Sequence, residues 1–129
     1  MFDHVSVLVN DYDESRKFYD KVLALLDFAL LFESVDEKFA AYGSRDPETG
    51  GLPKFLISQS KTPITASSVH VGFSAPSTQV VDQFYKLALE LGASDNGSPG
   101  LREHYAKGYY GAFVLDRDGH NIEFVHRIV

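Results

Sequence analysis

The apolar residues change their period several times along the chain, and each change marks an element. Phe2–Val9 is β-branched and apolar in the manner of a strand. Asn10 or Asp11 can then cap a helix whose apolar positions recur as Phe18, Val22, Leu25 and Leu26. Short strands are predicted over Phe28–Ser34, Phe39–Gly43 and Lys54–Gln59, with a polar stretch containing Gly and Pro at 44–53 between the last two. The first half therefore reads β-α-β-β-β. A polar joint over 60–68 follows, then a strand at Val69–Ser74 and a helix at Ser77–Leu91 with Val80, Val81, Phe84, Leu87, Ala88 and Leu91 on its apolar side. The segment from Asn96 to Tyr105 is rich in turn formers and reads as a loop. Tyr110–Leu115 and Asn121–Ile128 read as strands joined by the turn Asp116-Arg117-Asp118-Gly119.

The second half opens like the first, and an offset of 66 pairs His4 with His70, Val5 with Val71, Phe18 with Phe84 and Tyr19 with Tyr85 without a gap. This pattern predicts one α+β domain over 1–129, built from two βαβββ modules in tandem, about 1–60 and about 69–129. Neither half alone can bury its sheet. The two sheets are expected to join into a curved, mixed, half-open barrel-like surface, with the helices outside and a cup inside.

Composition narrows the chemistry. The chain has 129 residues and no cysteine, which removes disulfides, thiolate metal sites and cysteine nucleophiles, so any metal must be held by His, Asp or Glu. A net charge of −6 with scattered basic residues gives no footprint for a phosphate backbone. Met1 is followed by no basic and apolar leader, and the apolar run 22–32 is broken by Asp27 and too short to span a bilayer. A cytoplasmic protein with a small-molecule substrate, and neither nucleic acid nor membrane as partner, is the expectation.

His4 and His70 occupy matching places in the first strands of the two modules, and Glu123 interrupts the apolar last strand. Two neutral imidazoles and one carboxylate on rigid strands suit a facial divalent-metal site with open positions, filled by Fe(II), Mn, Ni or Zn. A lone strand histidine or glutamate is also ordinary when hydrogen-bonded or solvated; what singles these three out is that the two histidines recur in the duplication and that the carboxylate interrupts an otherwise apolar strand. Arg102 can hold a substrate carboxylate or enolate, and His104 or Tyr109 can act as acid or base at neutral pH; solvation of a loop accounts equally for Arg102 and His104. Tyr105 and Phe55 are read as pocket wall or core, and His120 and His126 as structural.

These residues resemble the vicinal oxygen chelate superfamily of glyoxalase I, extradiol dioxygenases, fosfomycin-resistance enzymes and bleomycin-resistance proteins. The carriers are Asp3-His4-Val5-Ser6-Val7, Ser15-Arg16-Lys17-Phe18-Tyr19, His70-Val71-Gly72-Phe73 and Phe113-Val114-Leu115-Asp116-Arg117-Asp118-Gly119-His120-Asn121-Ile122-Glu123. The resemblance covers nearly the whole chain and implies paired βαβββ modules, a homodimer, and a metal held at the positions of His4, His70 and Glu123. Ser-Pro-Gly-Leu-Arg at 98–102, with His-Tyr and Tyr-Tyr after it, is similar to a subgroup of small members whose activities are mostly unassigned. In glyoxalase I a fourth ligand comes from the last strand of module one. Subtracting 66 from 123 lands on Ile57, which cannot ligate, and a slip of two brings Gln59, a weak ligand. The resemblance thus favours a three-ligand, dioxygenase-like centre with Fe(II), or lyase or isomerase chemistry, over glyoxalase I. A non-catalytic binder of a drug or metabolite, of the bleomycin-resistance type, is the alternative from another class.

Overall fold

A computed structural model describes residues 1–49 and 51–129. In chain order the elements are β1 (Val5–Val9), α1 (Tyr12–Ala24), β2 (Phe28–Ser34), β3 (Phe39–Ser44), a short 3-10 turn (Pro47–Thr49) and β4 (Phe55–Gln59). The second half has β5 (His70–Ser74), α2 (Thr78–Glu90), β6 (Ser94–Leu101), β7 (Tyr109–Leu115) and β8 (Asn121–Arg127). The chain divides into two compact units, Met1–Thr65 and Ala66–Val129. Each is a βαβββ module with one four-stranded mixed sheet, in the order β1-β4-β3-β2 and β5-β8-β7-β6. The tandem α+β arrangement read from the sequence is the one observed. No helix among the described residues is long and apolar enough to cross a membrane.

In module one, Asp11 caps α1 by accepting the Glu14 N–H at 3.1 Å, and in module two Ser77 caps α2 through the Val80 N–H at 3.2 Å. Strand alternation then sorts each sheet into two faces. Val7, Val9, Phe55 and Ile57 are buried beneath α1 with Tyr19 and Val22, while Ser6 and Leu8 lie on the opposite, open face. In module two, Ile122, Phe124 and Val114 are buried with Val81 and Phe84 of α2, and Phe84 stacks on Phe124 at 3.9 Å with the rings within 4° of parallel. His70, Gly72, Glu123 and Phe113 share the open face of that sheet.

Three details depart from the sequence reading. The segment from Asn96 onward is not all loop, because β6 runs through it to Leu101. It is an edge strand that pairs only with β7, so Pro99 needs no second partner, and irregularities between Asp95, Gly97 and Gly100 absorb the turn-forming residues. Within it the Gly97 N–H donates to Asp95 Oδ1 at 2.9 Å. His4 stands immediately before β1 rather than inside it. Finally, the offset of 66 does not hold in the last strands. Ser6 pairs with Leu56 in the parallel β1–β4 ladder, and Gly72, 66 residues after Ser6, pairs with Glu123, which is 67 after Leu56.

Candidate metal centre on the open face of module two

The open face of module two carries a carboxylate that its own strands bury. Glu123 is 3% exposed although no helix covers it. His70 Nε2 lies 2.9 Å from its Oε1, and the Tyr109 hydroxyl donates to its Oε2. Two glycines make room. A Cβ at Gly72 would sit 3.3 Å from Oε1, and one at Gly111 would sit 3.4 Å from Oε2. Phe113, cross-strand from Glu123, closes a further side and lies 6.1 Å from the His70 ring. The imidazole remains half exposed, so the pair joins a buried carboxylate to a ring that solvent reaches.

Tyr109 is held as a proton donor. Burial and then its hydrogen bond to Glu123 push its phenol up to about 12, so the hydroxyl keeps its proton and stays a hydrogen-bond donor to the carboxylate. Two residues of the preceding loop extend from this ring. Tyr105 meets Tyr109 edge to face at 5.2 Å, and exposed His104 lies 4.3 Å from Tyr105. The loop is closed at both ends. Arg102 N–H donates to Tyr109 O at 2.7 Å, and Ile128 N–H donates to Gly108 O at 2.8 Å. Only glycine fits at 108, where φ is +75° and a Cβ would meet Ile128 O at 2.0 Å.

Several expected site residues are engaged elsewhere. Arg102 donates to the carbonyls of Ser98, Gly100 and Gly111 at 2.6–2.8 Å and lies over Phe113, so its guanidinium braces the β6–β7 hairpin. Phe55 is 1% exposed, against Tyr19 beneath α1, and belongs to the core rather than to a substrate wall. Ile57 is fully buried on the same side, so it is not the counterpart of Glu123; that position is Leu56, which likewise cannot ligate. Gln59 accepts the Tyr12 N–H and donates to Asn10 O, tying β4 to the start of α1. His4, in module one, is exposed with its Nδ1 2.6 Å from Asp3 Oδ1.

A second group of ligand-type side chains lies in the β7–β8 turn, where Asp116, Asp118 and His120 are buried and bring their donor atoms within 4.8 Å of one another. Asp116 Oδ1 accepts the N–H groups of Asp118 and His120, both at 2.9 Å, and His120 Nδ1 lies 2.5 Å from Ser67 Oγ. The turn was legible in the sequence. The convergence of these three side chains was not, because His120 reads there only as a structural residue. His126, on the helix-facing side, bonds Ala75 O.

Comparison with known proteins places the whole fold. The family model of the Glyoxalase/Bleomycin resistance protein/Dioxygenase superfamily matches residues 1–124. No curated protein matches. Among solved structures, a glyoxalase/bleomycin resistance protein from Albidiferax ferrireducens T118 is 28% identical, with 98% of this chain and 99% of that one covered at a TM-score of 0.77. A glyoxalase/bleomycin resistance protein/dioxygenase family enzyme from Burkholderia phytofirmans PsJN, 15% identical, covers 98% of both chains at a TM-score of 0.71. A genomically encoded fosfomycin resistance protein from Listeria monocytogenes, solved as a mutant with Mn(II) and 1S,2S-dihydroxypropylphosphonic acid, is 17% identical with a TM-score of 0.70 over 97% of this chain and 88% of that one.

Proposed function

The chain belongs to the Glyoxalase/Bleomycin resistance protein/Dioxygenase superfamily, and on that footing we propose that it is a divalent-metal-dependent enzyme whose ion is held by His4, His70 and Glu123. The substrate is a small molecule that chelates through vicinal oxygens, and the reaction is dioxygenase-like or a lyase or isomerase step. The observation that carries this reading is the buried Glu123 carboxylate with His70 Nε2 at 2.9 Å. That spacing fits two adjacent ligands of one ion, each about 2.1 Å from it. The space left by Gly72 beside Oε1 fits as well. When bound, a divalent ion supplies Lewis acidity for charge developing on chelated oxygens, and Fe(II) or Mn(II) suits the donor set as well as Ni or Zn. Fe(II) is the favoured ion on the three-donor pattern; Mn(II), present in the Listeria relative, is the next to try.

The chain's own residues then divide the work. Tyr109 fixes Oε2 of Glu123 and so orients the carboxylate. Phe113, cross-strand from Glu123 and beside the His70 ring, walls the site. His104, exposed on the loop, is the acid or base within reach of bulk solvent. The protein works as a homodimer in the cytoplasm.

The test is metal content of untagged protein incubated with Fe(II), Mn(II), Ni(II) or Zn(II), for wild type, Glu123→Ala and Asp118→Asn. One equivalent in wild type and Asp118→Asn, absent in Glu123→Ala, is the expected result, and light scattering of the same sample should give twice 14.4 kDa. Loss in Asp118→Asn alone would move the ion to the β7–β8 turn. No metal in any sample would favour a second reading, a non-catalytic small-molecule binder. One observation supports that reading: His70 and Tyr109 already satisfy both oxygens of Glu123. Ligand binding retained in His4→Ala would be its signature. Glyoxalase I chemistry is disfavoured, because Leu56 stands where a fourth ligand would be.

A further inference from the structure

Beyond Glu123, the open face of β8 carries a second charged group of opposite sign. Arg127 is four residues on, so strand alternation returns it to the same face, and it lies cross-strand from Tyr109. Its guanidinium sits 4.8 Å from the centroid of the Tyr109 ring, the same ring whose hydroxyl donates to Glu123. It is exposed and forms no ion pair with a carboxylate among the described residues, in a chain whose net charge is −6. Arg102, the cation that the sequence suggests for anion binding, is held instead by three carbonyls.

We propose that Arg127, carried on the Tyr109 ring, is an anion subsite that selects substrates bearing a carboxylate or phosphonate beyond their chelating oxygens. This rests on the reading of Glu123 as part of the chelating centre. A guanidinium lying over an aromatic ring keeps its N–H edges free, and those edges match the two oxygens of a planar anion. The subsite is preformed, because the Ile128 N–H to Gly108 O bond and the Glu103 carboxylate on the Gly108 N–H fix the strand end and the loop on either side of it. Tyr105, 58% exposed at the edge of Tyr109, offers a wall for the body of a planar substrate. One tyrosine side chain thus touches both groups, its hydroxyl on the buried carboxylate and its ring under the cation.

The first arm of the test needs no metal. Arginine Nε–H signals in NMR spectra are followed while benzoate, phenylphosphonate or neutral benzamide is added. The Arg127 signal is expected to move saturably with the anions and not with benzamide, and the tighter of the two anions identifies the group. The Arg102 signal should stay in place. Binding should weaken in Arg127→Lys and vanish in Arg127→Ala. An Arg127 signal indifferent to both anions overturns the subsite. The second arm uses metal-loaded protein and calorimetry. Wild type should prefer 3,4-dihydroxybenzoate over catechol by roughly tenfold, and Arg127→Ala should lose that preference with metal stoichiometry unchanged. Equal preference in both proteins counts against the subsite alone. Absence of metal counts against the chelating centre, while the first arm still decides on Arg127.

Discussion

At the scale of single residues, Gly72 and Glu123 show how a strand can bury a charge without a covering helix. The glycine has no Cβ where one would stand 3.3 Å from the carboxylate oxygen. Gly72→Ala must push Glu123 by a few tenths of an ångström, yet alanine is no worse than glycine for the strand backbone and reduces the freedom of the unfolded chain. The expected outcome is a metal affinity lower by roughly tenfold with thermal stability unchanged or slightly raised. Equal affinities in a metal titration would show that Gly72 does not shape the site. Glu123 was legible because a carboxylate breaks an apolar strand, and His70 because it repeats His4. Tyr109 as the partner of Oε2 and Arg127 as a cation beside it were not, since cross-strand register and ring contacts carry no trace in local spacing. Ile57 misled for the same reason: counting along the chain assumes equal register in the two modules, and the ladders differ by one residue.

At the scale of elements, α1 is tied to its sheet by polar contacts as well as by packing. Tyr42, 1% exposed on β3, donates to Asp20 Oδ1 at 2.7 Å, and Arg16 grips both oxygens of Asp20 at 3.1 and 3.2 Å while also bonding Glu33 of β2. Burial first, and then the Asp20 carboxylate, raise the Tyr42 phenol far above its usual range. A folded-state value above the unfolded one means that this contribution to stability is complete below about pH 10 and is lost as pH rises beyond it. Tyr42→Phe should cost about 1–2 kcal/mol at neutral pH, because a hydrogen bond to a charged acceptor goes while Arg16 keeps Asp20 paired. The gap between the two proteins should narrow in alkaline urea melts; a constant gap would place the phenol's titration elsewhere. The helices and most strands were legible from caps and periodicity. β6 was not, because an edge strand tolerates the Pro, Gly and Asn that mark a turn in any other setting.

At the scale of the molecule, the duplication is visible in sequence and repeated in topology, with the same strand order in both modules. The modules have diverged in what their open faces carry. Module one offers Ser6, Leu8 and Leu56 where module two offers Gly72, Ser74 and Glu123, so one copy of the fold keeps titratable chemistry and the other keeps mostly shape. Such a division follows from duplication: once two sheets exist, one suffices for most of the donors. The edge strand β6 also bears on how long the molecule lasts. Asn96-Gly97 is the kind of pair at which proteins deamidate, through attack of the glycine backbone nitrogen on the asparagine side chain. That nitrogen's hydrogen is given to Asp95 Oδ1 at 2.9 Å. Asp95 is therefore a brake on chemical ageing, and peptide mass mapping of stored protein should find Asn96 converting faster after Asp95→Ala.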